Sequence, residues 1–249
     1  MVYRGDCARD EWGAAAIYQE MSASPTSIQA TNANIAYGML PGHKETSADA
    51  VKAYVQSLLK SKQATWISLP PELWPADWKG KFTKPMVLLV KSLYGHPESG
   101  AHWQNHLEHI IQEKMEGVPI EDQPSSYWIA KSKLVLTVYV DDFMLSGPED
   151  AHAEFWEELG KHVEIEDISG LERFLGRHHE LHSGAPGVAE VKFVMSDYAK
   201  QAVDMYMKAA PSAKLKHAST PFVSDGALLD SDDESTVFQF KNCQASEIN

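Results

Sequence analysis

The chain has 249 residues, of which 43% are hydrophobic and 23% charged, with a formal net charge of −13. That length buries a sizeable core in one large or two small domains. With no apolar run of the ~18 residues that a membrane span needs and no secretory start, it reads as intracellular, cytoplasmic or nuclear, not secreted. Two cysteines, Cys7 and Cys243, exclude a disulfide framework and a cysteine-rich zinc site. The acidic balance is not the usual footprint of a nucleic-acid binder, yet Lys44, Lys52, Lys60, Lys62, Lys79, Lys81, Lys84 and Lys91 outnumber the acids around them and leave room for a basic stripe.

Residues 1–25 show no clear periodicity. Over 27–39, Ile28, Ile35 and Met39 among alanines predict a helix, stopped by Pro41-Gly42. Residues 65–69 predict a short strand ended by Pro70-Pro71, and 72–84, rich in Trp, Pro and Lys, a loop. The apolar run 86–90 predicts a buried strand. Trp103, Leu107, Ile110 and Ile111 fall on one helical face over 99–115, with Ser99 placed to cap it. Residues 127–130 and 134–140 predict strands, followed by Asp141-Asp142, a second apolar run at 143–145 and Ser146-Gly147-Pro148. That succession outlines a β-hairpin with carboxylates near its tip. Phe155, Trp156, Leu159 and Val163 predict a helix, 174–176 and 191–194 further strands, and Tyr198, Ala202, Met205 and Tyr206 another helix. Beyond Pro221 the chain turns polar and acidic, and a disordered tail is expected.

Tyr139-Val140-Asp141-Asp142 is the sharpest local feature. Adjacent carboxylates repel one another unless water or a divalent cation compensates. Magnesium takes carboxylate and phosphate oxygens with few protein ligands. One more carboxylate from a neighbouring strand would complete a site for two ions about 3.5–4 Å apart, able to activate an attacking hydroxyl and stabilise leaving pyrophosphate. Taken alone, the dipeptide reads as a solvated acidic turn, because acidic turns are common.

Several ordered segments resemble the copia-type retrotransposon reverse transcriptase. They are Asp49-Ala50-Val51-Lys52-Ala53-Tyr54; Trp66-Ile67-Ser68-Leu69-Pro70-Pro71; Lys91-Ser92-Leu93-Tyr94-Gly95 with Trp103 beyond; Leu136 to the Tyr139-Val140-Asp141-Asp142 hairpin; Val163, Ile165 and Ile168 with Leu171, Phe174 and Gly176; and Ser219-Thr220-Pro221. The resemblance spans about 2–222. It implies an α+β right-hand polymerase fold with an antiparallel palm sheet: partial fingers at 1–45, palm at 46–61, fingers at 62–90, palm at 91–183, a small helical thumb at 184–222 and the acidic tail at 223–249. It implies an RNA-directed DNA polymerase domain that transfers a deoxynucleotide to a primer 3′-hydroxyl by two-metal chemistry. Asp49, Asp141 and Asp142 would be catalytic and would hold two Mg²⁺, with Mn²⁺ as a substitute. Ala50, Val51, Tyr54, Tyr94, Gly95 and Tyr139 would line the nucleotide pocket, with the Tyr54 ring crowding a 2′-hydroxyl. Lys79, Lys81, Lys84 and Lys91 would touch the phosphates of an RNA or DNA template-primer.

The departures from the family pattern matter equally. His96-Pro97-Glu98-Ser99-Gly100-Ala101-His102 stands where the family has Lys and Arg. The first arginine of its fingers pattern falls before Met1, and the integrase, protease and RNase H regions of the polyprotein are expected but absent from this chain. A polyprotein fragment is therefore expected, with two rival readings: a catalytically inactive remnant, or an interaction scaffold retaining the palm. His102, His106 and His109, and His178, His179 and His182, are read as boundary or strand histidines rather than zinc ligands, and Arg4-Gly5-Asp6 as a chance tripeptide.

Overall fold

The computed structural model describes residues 8–10, 12–13, 25–183 and 189–212. Arg4-Gly5-Asp6, the fingers match at residues 1–5, Cys7, Cys243, Ser219-Thr220-Pro221 and the acidic tail lie outside the described residues. Two compact units divide at Ser196. The first is built on one antiparallel sheet of six strands: β1 (His43–Asp49), β4 (Gly117–Pro119), β5 (Ser126–Ile129), β6 (Leu134–Tyr139), β7 (Asp142–Pro148) and β8 (Ser169–Gly170), in the order β4-β5-β6-β7-β1-β8. Of the second unit, α5 (Ser196–Ala209) accounts for most of the described chain.

Alternation along β6 and β7 explains the layers. Leu134, Leu136 and Val138, with Phe143 and Leu145, face one side of the sheet, where α3 (Ser99–Glu113) lays down Trp103, Leu107, Ile110 and Ile111 and α4 (His152–Gly160) lays down Phe155, Trp156 and Leu159. Thr137 and Met144 point to the opposite side, where α1 (Ile28–Gly38) packs Ile35 on Met144 and the Asn34 amide donates to Thr137 Oγ1 at 2.8 Å. Ser27 caps α1 by accepting from the Ala30 N–H at 2.9 Å. Gly147 is needed where β7 passes under the start of β6. Its φ is +146°, and a Cβ there would stand 2.7 Å from the Lys133 carbonyl oxygen.

Smaller elements complete the unit. Among the described residues β2 (Trp66–Ser68) pairs with β3 (Met86–Leu88) alone, and two short 3-10 turns, Pro71–Leu73 and Ala76–Trp78, interrupt the intervening loop. A second hairpin joins β10 (Arg177–Ser183) to β11 (Ala189–Val194), with β9 (Arg173–Phe174) on its edge. A single-turn helix, α2 (Ala53–Gln56), follows β1.

Three local expectations are corrected. Ser99 does not cap α3: its hydroxyl donates to the Leu93 carbonyl and accepts the Leu93 N–H, both at 2.9 Å, so it closes the preceding loop. The apolar run at 86–90 is not buried. Met86 and Leu88 are 49% and 47% exposed because, among the described residues, no second layer covers that two-stranded ribbon. Helix α4 ends at Gly160, so Val163 packs from the segment beyond it. Among the described residues no helix is long and apolar enough to cross a membrane.

Candidate active site

The site sits where two strand ends meet. β1 runs antiparallel to β7 with Asp49 opposite Asp142, and β6 pairs Tyr139 with the same Asp142. Val140 and Asp141 form the two-residue turn between β6 and β7. The Ala50 N–H donates to the Asp141 carbonyl at 2.7 Å, so the chain leaving β1 is stitched to that turn. Asp49 and Asp142, 93 positions apart in the chain, are thus neighbours because their strands are.

Three carboxylates gathered at one strand end repel one another. Burial pushes the Asp142 carboxyl up to about 6, the negative charges of Asp49 and Asp141 add to the effect, and a hydrogen bond shared with Asp49 further favours the proton. Arg173 on β9 opposes the shift. Among the described residues, no three histidine, cysteine or carboxylate side chains already stand at ion-holding geometry. The donor set itself is hard oxygen, which is what magnesium takes, and a divalent cation would relieve the repulsion that adds to the effect of burial on Asp142.

Main chain beside the carboxylates is held from the other side. Glu166 N–H donates to the Asp49 carbonyl at 2.8 Å, Val51 N–H to the Glu164 carbonyl at 2.9 Å, and Ala50 bridges to Ile165. Gln56 locks this crossing: its amide donates to the Val51 carbonyl at 2.7 Å and the Glu164 carbonyl at 2.9 Å, and its oxygen accepts the Glu164 N–H at 2.9 Å. The turn into α2 passes through Lys52 in the left-handed region, φ +50°.

Tyr54 on α2 and Tyr94 lie ring to ring, centroids 4.6 Å apart and planes at 32°. Burial first, and then the charge of Asp141, pushes both phenols up, which puts both rings within electrostatic reach of that carboxylate. Gly95, φ +89°, follows Tyr94 in an exposed turn. Tyr139 is exposed at the last position of β6 and lines, with Tyr54, Trp103 and Val140, a small apolar cavity beneath the hairpin. The lysines are less concentrated. Lys91 donates to the Gln56 carbonyl at 3.1 Å, close to the site, whereas Lys79, Lys81 and Lys84 stand exposed on the loop between β2 and β3 with no recorded hydrogen bond to the carboxylates.

The altered segment before Trp103 forms its own cluster. His96 Nε2 lies 3.1 Å from Thr65 Oγ1, and Glu98 Oε2 lies 3.6 Å from His102 Nε2, both side chains largely buried. His106 packs on Trp103 and His109 is exposed. On β10, His179 is pushed down to about 4, by burial first and then by the Arg177 charge.

Sequence reasoning did not single out Gln56, Arg173 or the 164–166 segment as parts of the site. Gln56 and Arg173 are ordinary polar residues in the primary structure; only the pairing of 164–166 beside Asp49–Val51 gives Gln56 a role, and only the fold brings the Arg173 charge near Asp142. Trp103 was legible as a core residue; its bond to the hairpin was not.

A family model described as reverse transcriptase (RNA-dependent DNA polymerase) matches residues 47–214, more than half of the chain and all of its carboxylate cluster. No curated protein matches. Among solved structures, the telomerase of Candida albicans, in a complex with a fragment of telomeric RNA, is similar at 10% identity and a TM-score of 0.35, over 65% of this chain and 35% of that one. The chain thus spans about a third of the length of that structure's chain. With the family match covering both β1 and the β6–β7 hairpin, this chain belongs to the reverse transcriptase (RNA-dependent DNA polymerase) family.

Proposed function

We propose that the chain is the RNA-directed DNA polymerase domain of a copia-type retrotransposon, extending a primer on an RNA or DNA template with deoxynucleotides. The observation that carries this is the register of Asp49 against Asp142, with Asp141 in the adjoining turn. Asp49, Asp141 and Asp142 would hold two Mg²⁺, which when bound activate the primer 3′-hydroxyl and offset charge on the leaving pyrophosphate. The protein's own share is positioning. The Ala50-Val51 main chain, immobilised by the Asp141 carbonyl on one side and Glu164 on the other, offers a rigid edge for the triphosphate. Tyr54 and Tyr94 form the wall against which a sugar would lie. Gly95 leaves room beside it, Tyr139 closes the hairpin end, and Lys79, Lys81, Lys84 and Lys91 serve template phosphates. In the hand description, the six-stranded sheet with α3 and α4 corresponds to the palm, the β2–β3 ribbon to fingers and α5 to the thumb.

Mg²⁺-dependent extension of a DNA primer on an RNA template tests the proposal, with Asp141→Asn beside the native chain. Native extension with a loss of at least 100-fold in the variant is expected. A folded native chain that does not extend a primer overturns it. A second reading, a palm that no longer copies nucleic acid, is favoured by one observation: the largely buried Glu98–His102 pair stands where the family resemblance calls for cations. Retained binding of primed template without extension would support that reading.

A further inference from the structure

The catalytic turn rests on a residue that resists its own conformation. Val140 has φ +59°, whereas Asp141 after it is not in the positive region. A two-residue hairpin with positive φ at its first central position usually carries glycine there. A β-branched residue in that region is an outlier that its surroundings must enforce.

The enforcing contact comes from α3. Trp103, 1% exposed, is fixed among Leu107 and the β6 and β7 side chains, and its indole Nε1 donates to the Val140 carbonyl at 2.6 Å. On the far side of Asp141, its own carbonyl accepts the Ala50 N–H at 2.7 Å. The two peptide groups flanking the Asp141 Cα are therefore tied by different elements, one by a strand end and one by a helix side chain. With both planes held, the direction of the Asp141 Cα–Cβ bond is set. Tryptophan suits the role because its N–H is always a donor and its bicyclic ring reaches from the helix axis to the turn.

We infer that Trp103 is a positioning residue for the polymerase reaction, holding the strained Val140 peptide so that the Asp141 carboxylate points at the reacting centre. This rests on the polymerase reading above. Trp103→Phe removes the N–H and keeps most of the packing. It should lower kcat for primer extension roughly tenfold, the net worth of one hydrogen bond, with the deoxynucleotide KM and template Kd within about twofold of native. Val140→Gly relieves the strain, so adding Trp103→Phe on top of it should cost less than about twofold. Equal losses in both backgrounds would overturn the inference, because Trp103 would then act through packing alone. Benzothienylalanine placed at position 103 keeps the bicyclic shape without the N–H and replaces the phenylalanine variant should that one fold poorly.

Hydrogen exchange of the hairpin amides separates this claim from the polymerase claim. In a chain without activity, faster exchange at 140–142 in Trp103→Phe, suppressed by Val140→Gly, still supports the Trp103 clamp. Unchanged exchange in all four chains overturns it.

Discussion

Asp142 carries the tension of the site. Its carboxyl is half-buried, faces Asp49 across the strand pair and adjoins Asp141, and its affinity for a proton rises to about 6 in consequence. Such an arrangement is costly as pure structure. Tyr54 is the neighbouring residue whose chemistry is simplest to test. Its ring packs against that of Tyr94 at a tilt, so it cannot swing aside for a larger sugar without losing that contact. Tyr54→Ala should raise the ratio of ribonucleotide to deoxynucleotide kcat/KM by at least about tenfold, measured by single-nucleotide incorporation. An unchanged ratio would mean that the ring does not face the sugar.

At the scale of elements, β1 is the strand that matters and the one that announces itself least. His43-Lys44-Glu45-Thr46-Ser47-Ala48-Asp49 is polar almost throughout, yet it lies between β7 and β8. Its stability comes from hydrogen bonds rather than apolar alternation. Trp156 Nε1 donates to Thr46 Oγ1 at 2.8 Å, the Thr46 hydroxyl lies 2.7 Å from His152 Nδ1, and His152 Nε2 lies 3.2 Å from the Gly147 carbonyl. The geometry is satisfied by a neutral imidazole that donates from Nε2 and accepts the threonine hydroxyl at Nδ1. Burial lowers the His152 pKa; the Gly147 bond and Glu149 oppose the shift, while Lys44 and His43 add to it. The sign follows: below an unfolded value of about 6.5 the unfolded chain binds a proton that the folded chain refuses. Stability is full above that pH and falls as the pH drops below it, by up to about 1.4 kcal/mol per pH unit. Urea unfolding of the native chain and His152→Gln between pH 7.5 and 5 should show this component in the native chain alone.

The whole molecule carries −13, which opposes a polyanionic partner. Affinity for a template must then come from local cations and be sensitive to salt. Lys79, Lys81 and Lys84 share one exposed loop between β2 and β3. Replacing all three by alanine should weaken binding of single-stranded template and reduce the slope of log Kd against log salt by about 2. A slope unchanged within error would remove that loop from the template path. The apolar faces of Trp66, Met86 and Leu88 on the same ribbon remain in solvent.

Much of this was legible in the primary structure. Helix α3 and strands β5, β6 and β7 follow from apolar spacing, because each buries one face against the same core and period reports face. The carboxylate hairpin and its family likeness were legible because they depend on short runs of consecutive residues. β1 was not, because a strand stabilised by Thr46, His152 and Trp156 has no apolar period to read. The Ser99 cap was misassigned because a hydroxyl before a helix can serve the loop behind it equally well, and only the position of Leu93 decides.

The sequence by itself determined which side chains are available: three aspartates, two tyrosines and a tryptophan, in segments of a family pattern. Only the tertiary structure decided that Asp49 lies opposite Asp142, that Gln56 ties 51 to 164, and that Trp103 reaches the Val140 carbonyl. The reason is that strand register and helix placement are set by the packing of the entire core, and a residue's neighbours across a sheet are not encoded near it in the chain.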